Sequence, residues 1–262
     1  MILFTDAFLL SAPADREPLS HARILWNCEP VTWSASSEVE AHEAASVANP
    51  MTFRRWRSAA SSSWLKATMG SANAINAIGI AAHNLRGKSV VIESSENDVD
   101  WTPEKSVSVS TDDAIMILMP DVIRPYWRIV VSGGAAEIGV VFVGRTLDMQ
   151  RSIYGGHSPG TLSRTTTKLQ SRSESGQFLS QRVIRRGYST SYTWNNLSAD
   201  WYRSKFDPFA DYASDGNPFF IAWKPDKYPR EVLYGWTPDD VRPQNIGVRD
   251  LMSVTMNVNA LR

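Results

Sequence analysis

From residue 75 to residue 145 the chain is cut into short apolar runs separated by turn formers, and no other feature limits the fold as much. "INAIGIAA" breaks at "HNLRGK" and resumes as "SVVIES". A polar loop, "SENDVDWTPEK", leads to "AIMILMP", and then come "YWRIVVSGG" and "EIGVVFVG". Each run is rich in Val and Ile and is bounded by Gly, Pro, Asn or Asp, as strands are. No long amphipathic helix interrupts the series, so an antiparallel β-sandwich is expected.

The texture changes at Asp148. "DMQRSIYGGHSPGTLSRTTTKLQSRSESGQ" is poor in large apolar residues and rich in Ser, Thr, Arg and Gly. Such a stretch cannot build a core of its own, and reads as a linker or an extended arm that depends on a neighbour. Beyond it, "FLSQRVIRRGYSTSYTW" reads as two strands around a turn near Arg186-Gly187. Ser198 then starts a helical spacing of Trp201, Tyr202, Phe206, Phe209 and Tyr212, which Pro208 should interrupt. "PFFIAWK", "EVLYGWT" and "DLMSVTMNVNAL" read as closing strands, the last alternating apolar with polar. The expected layout is an N-terminal strand or arm over 1–20, a β-sandwich over 21–146, an extended linker over 147–177, and a small α+β unit over 178–262 with one helix near 198–213. The fold class is mainly β.

Lys+Arg and Asp+Glu are equal at 27 each, so no overall field draws the chain to nucleic acid or to an anionic membrane. Asp6 interrupts the apolar start "MILFTDAFLLSAPA", which lacks a basic leader and reads as a first strand rather than a signal peptide. Other apolar runs fall far short of the ~20 residues that span a bilayer, so a soluble protein with no membrane anchor is expected. The single cysteine, Cys28, excludes an internal disulfide and any Cys-based zinc site, and is expected to be at least half-buried. The ten Trp, eight Tyr and nine Phe suit a core, a protein interface or a sugar platform.

Candidates for chemistry are few. Gly156-His157-Ser158-Pro159-Gly160 matches the G-x-S-x-G elbow of serine hydrolases, but Pro159 has no N–H to form half of the oxyanion hole. The flanks are neither a buried strand nor a helix, so a Gly/Pro turn in a connecting arm is expected. Gly87-Lys88-Ser89 ends like a P-loop, yet Ala82 stands where its first glycine belongs. His21, His42, His83 and His157 show no metal-binding spacing, and Glu96, Asp98 and Asp100 read as a solvated loop or a weak cation site. No metal, no cofactor and no catalytic residue is expected, so the chain reads as a non-enzyme. Arg54, Arg55 and Arg57 around Trp56 are either a recognition patch or ordinary loop arginines.

Three segments resemble the discoidin (F5/8 type C, galactose-binding-like) family of jelly-roll sandwiches. "ASVANPMTFRRWRS" resembles its opening W-R-S element, "LKATMGSANAINAIGIAAHNL" its DLG-x-x-x-x-I strand, and "RPYWRIVVSGG…EIGVVFVG" its closing strands, although Thr68 and Met69 replace the usual acidic residue and leucine. The resemblance implies ligand loops at one end of the sandwich, in or near which Trp33, Arg54, Arg55, Trp56 and Trp101 would lie. Together with "SESGQFL", "LSADWYRSKFDPF", "PFFIAWKPDKYPREVLYGW" and "RDLMSVTMNV", the whole chain is similar to distal tail or baseplate proteins of long-tailed bacteriophages. That similarity implies a virion structural protein made in the host cytoplasm, forming a trimeric or hexameric ring that contacts the tail tube and the baseplate hub or tail-tip proteins. Arg151, Tyr154, His157 and Arg164 would be the arm's interface residues. A carbohydrate-binding adhesion module contacting host-surface glycans is the alternative.

Overall fold

Strands account for most of the described chain. The computed structural model describes residues 1–10, 17–71 and 73–261, with residues 9, 10 and 248 by backbone alone. The first strands are β1 (Ile2–Phe4), β2 (Arg23–Cys28), β3 (Val31–Ala35), β4 (Trp56–Arg57), β5 (Ser62–Met69) and β6 (Ala74–His83). Next come β7 (Ser89–Ser95), β8 (Thr102–Ser108), β9 (Ile115–Ile123), β10 (Tyr126–Ser132) and β11 (Glu137–Asp148). β12 (Arg164–Arg172), β13 (Phe178–Ser198), β14 (Phe219–Ala222), β15 (Val232–Trp236), β16 (Pro243–Ile246) and β17 (Leu251–Ala260) complete the set.

Two sheets face each other in the first half. One is five-stranded and antiparallel throughout, in the order β3-β5-β10-β7-β8. The other begins β1-β9-β6-β11-β2, antiparallel apart from the β1–β9 pair. Between them lies a core that includes Leu65, Ile78, Ile80, Ile92, Ile129 and Val141. Trp56 and Trp127 are fully buried in it, and each indole N–H has a carbonyl to donate to: Ser37 at 3.1 Å and Arg124 at 3.0 Å. A buried Trp needs such a partner, and both have one. The expected antiparallel β-sandwich is present.

The second sheet does not stop at β2. On its far side β2 pairs with β14, and the sheet runs on through β15, β17 and β13 to β12, with β16 on β17 and β4 on β11. The two expected domains therefore share one twelve-stranded sheet, with β2 as the common strand. A sheet of this width curls. The β14–β15 hairpin thereby comes to lie over the outer face of β6, where Ala77, Gly79 and Ala81 are small enough to admit Phe220 and Tyr234.

A separate core forms under the C-terminal helical segment. α1 (Asp6–Leu10) is near the N-terminus, whereas α2 (Ala199–Trp201), a π turn (Tyr202–Phe206) and α3 (Asp207–Ser214) run continuously. The Ser198 side chain accepts the Trp201 N–H at 3.4 Å, as an N-cap does. Pro208 does not interrupt the segment: it follows directly on the π turn, where the Asp207 N–H reaches back to the Tyr202 carbonyl, and such a bulge is where a helix absorbs a break in its regular ladder. Tyr202, Phe206, Phe209 and Ala213 pack on Trp194, Phe219, Met256 and Val258.

Three expectations change. The stretch 147–177 is not a free linker: it carries the end of β11, a segment lying along β13, and all of β12. The run 178–198 is one continuous strand, β13, not two strands around a turn near Arg186-Gly187. Ile2–Phe4 is the strand expected at the start of the chain, and residues 11–16 lie outside the described residues. Cys28, at the end of β2, is exposed.

Candidate functional site

Where β6 ends, the sandwich and the C-terminal unit leave a cleft of about 340 Å³. Arg55 and Thr52 enter it from the loop before β4, Asp112 and Asp113 from the loop before β9, and Tyr188 and Tyr234 from β13 and β15. Ala82, also in the wall, takes a left-handed φ of 53°, which costs an alanine on the order of 1 kcal/mol. Gly139 opposite leaves room for that turn, since a Cβ there would fall 2.9 Å from the Cβ of Ala82.

His83 fixes the acidic loop to the strand. Its Nε2–H donates to the Asp113 carbonyl at 3.0 Å, and its Nδ1 accepts the Leu85 N–H at 3.3 Å. The two bonds together require the neutral Nε2–H tautomer. Burial pushes the ring's pKa down to about 4, against weaker pulls upward from the Asp113 carbonyl and the Asp112 carboxylate. The Asp112 carboxylate accepts the Arg86 N–H at 2.9 Å. The half-buried Asp113 carboxylate takes part in no hydrogen bond among the described residues.

Behind the cleft, Arg55, which lines it, and Arg57 hold Glu137 at 2.9 and 3.2 Å. Burial alone would raise the Glu137 carboxyl, but the two guanidiniums outweigh it and hold it below the ordinary carboxylate range. The Tyr234 hydroxyl donates to the Pro50 carbonyl, which ties the 49–55 loop to β15, and burial pushes its pKa upward. An apolar groove of about 330 Å³ continues from the cleft past Thr52, Tyr234 and Leu261. Trp236 stands on it, 36% exposed, beside Met51, which is 50% exposed.

The structure scatters the residues expected to contact a ligand. Trp33 and Trp56 are core residues on β3 and β4, not loop residues, because each belongs to an inward-facing set of the sandwich. Arg54 is exposed beside the Phe53 ring. Trp101 is half-buried at the far end of the five-stranded sheet, with the Arg128 guanidinium 4.0 Å over its ring. Only Arg55 reaches the cleft. Asp112, Asp113 and Trp236 stand in no recognisable motif; the one local sign is the "TDDA" turn before a strand, which places two adjacent carboxylates at a sandwich end.

The arm residues also separate. Tyr154 and Arg164 are exposed, and the exposed Arg151 donates to the Asn196 carbonyl at 3.4 Å. His157 is not available to a neighbour: its ring lies 5.3 Å from Tyr192 and 4.7 Å from Trp223, and both its nitrogens are buried in its own chain. Neither nitrogen has a hydrogen-bond partner among the described residues, Ser158 included. In the acidic loop, Glu96 pairs with Arg124, Asp98 with Lys66 at 2.7 Å, and Asp100 accepts from Asn97 at 2.8 Å. Among the described residues no group of three or more His, Cys, Asp or Glu is placed to hold a metal. No helix among them is long and apolar enough to cross a membrane.

No protein-family model and no curated protein sequence matches the chain. Among solved structures, a pectin-binding carbohydrate-binding module is similar at 19% identity and a TM-score of 0.40, covering 45% of this chain and 91% of that one. Chitosan-binding module 1 from the chitosanase/glucanase of Paenibacillus sp. IK-5 is similar at 18% identity and 0.41, covering 44% and 96%. The family 32 module of Clostridium perfringens NanJ, in complex with galactose, is similar at 16% and 0.40, covering 47% and 98%. Each likeness spans less than half of this chain.

Proposed function

We propose that this chain binds a glycan in the cleft between the sandwich and the C-terminal unit, and that it binds without turning the glycan over. The observation that carries the reading is the Asp113 carboxylate, half-buried in the cleft wall with no hydrogen bond among the described residues, next to Asp112 and in one cleft with Arg55. Carboxylates accept hydrogen bonds from vicinal hydroxyls, and the adjoining groove offers Trp236 for the apolar face of a sugar ring. A glycan array probed with the full chain tests this. Hits that vanish in Trp236→Ala, with the melting temperature kept, support it; a blank array, or hits indifferent to that substitution, overturns it.

A second reading adds assembly to binding. The chain would be a ring-forming virion subunit of a phage tail tip, linking tail tube to tip and presenting the cleft to host glycans. One observation favours assembly: β12 and the first half of β13 form a ribbon exposed on both faces. Native mass spectrometry of the full chain tests it, with rings expected and a monomer at all concentrations contradicting it.

A further inference from the structure

We propose that the β12–β13 ribbon docks on the acidic body of a second copy of this chain. The inference rests on the assembly reading and deepens it by naming the contact.

Arg164 to Arg172 pairs with Phe178 to Tyr188, and among the described residues no other strand pairs with the tip. Every residue of β12 except Thr166 is exposed, and so is every residue of β13 from Phe178 to Arg186. Five of these are large and apolar: Leu169, Phe178, Leu179 and Ile184 are each about 60% exposed, and Val183 is 40% exposed. A two-stranded ribbon wet on both faces is marginal by itself, and apolar side chains grouped this way mark a contact surface. β12 also presents the free edge of the twelve-stranded sheet, a row of unpaired N–H and C=O groups open to pairing with another chain.

Charge identifies the partner. The ribbon carries Arg164, Lys168, Arg172, Arg182, Arg185 and Arg186 against Glu174 alone. Basic and acidic residues balance at 27 each over the whole chain, so the remainder holds five more acidic than basic residues. Two stretches carry it: from Ser89 to Ile123 eight acidic residues stand against Lys105 alone, and from Ile24 to Phe53 there are four glutamates and no Lys or Arg, with Glu38, Glu40 and Glu43 exposed. The body of a second copy therefore complements the ribbon in sign. Nucleic acid would answer the arginines but would leave the aliphatic side chains uncovered. A ribbon on one copy meeting a different surface on the next is a heterologous contact, the kind that closes into rings.

The experiment measures the mass of the full chain by light scattering from 1 to about 100 μM, a range that brackets ordinary subunit contacts. Phe178→Ser/Leu179→Ser and Arg182→Glu/Arg185→Glu/Arg186→Glu are compared with the parent. The substituted residues are exposed, so the melting temperature should stay within a degree or two of the parent. An oligomeric parent and monomeric variants are the expected result. An oligomeric parent whose variants remain oligomeric overturns the ribbon contact while leaving assembly standing. A monomeric parent overturns both, and a monomer that binds duplex DNA through the three arginines reassigns the ribbon to nucleic acid.

Discussion

Gly79 lies against the ring of Phe220, so close that a Cβ on Gly79 would sit 2.7 Å from two of its carbons. This contact locks the C-terminal unit onto the outer face of the sandwich. Phe220 cannot yield, because its fully buried ring is packed against Phe142 at 5.3 Å and Tyr234 at 4.7 Å. Gly79→Ala should destabilise the chain by about 1–3 kcal/mol through overpacking. Urea unfolding checks this, and an unchanged midpoint would contradict it.

Arg23 and Asp148 make a second lock on the shared strand. The guanidinium is 1% exposed, lies 3.1 Å from the Asp148 carboxylate, and donates to the carbonyls of His21 at 3.2 Å and Pro18 at 3.2 Å. Asp148→Ala would take a carboxylate away from a buried cation, a loss on the order of 3–5 kcal/mol. Thermal unfolding should show a fall of many degrees; a shift within error would mean that Arg23's other contacts suffice to hold it.

His83 makes stability depend on pH. Its folded pKa, about 4, lies below the ordinary histidine value of 6.5, so the unfolded chain takes up the proton first as pH falls. Stability is complete above pH 6.5 and is lost progressively down to the folded pKa, by about 2 kcal/mol at pH 5. Carboxylates add their own slope, so the readout is a difference. His83→Gln should unfold with a shallower pH dependence between 7.5 and 5 than the parent, whereas parallel curves would sink the assignment.

Trp56 separates core from ligand contact. Fully buried between the sheets, it should cost about 3–5 kcal/mol when replaced by Ala. Chemical denaturation measures the loss. If instead Trp56→Ala kept full stability and abolished glycan binding, the loop assignment would be restored and the cleft would lose its place.

The sequence shows the sandwich plainly because strand alternation is local: Ile78 and Ile80 face inward while Ala77, Gly79 and Ala81 face out. Why the outward set is small could not be read, since Phe220 covers it from far along the chain. The continuous sheet was hidden for the same reason, with Leu25 opposite Phe220 in register. Composition told correctly that the stretch after Asp148 builds no core, yet its Thr-rich run gave little sign of the pairing that makes β12. Tryptophan abundance could not tell the buried Trp56 from the exposed Trp236. Asp112 and Asp113, Arg55, and Tyr234 come from three separate segments, and only the curled sheet brings them together.

The most direct test of the glycan reading is calorimetric titration of the full chain and of Asp113→Asn with the strongest glycan from the array. The Asp113 carboxylate makes no hydrogen bond among the described residues, and the His83 bond goes to the Asp113 backbone carbonyl, which the substitution keeps, so both proteins should melt alike. The account predicts at least about tenfold weaker binding for Asp113→Asn, the loss of one or two hydrogen bonds to a charged group. Equal dissociation constants in the two proteins would contradict it.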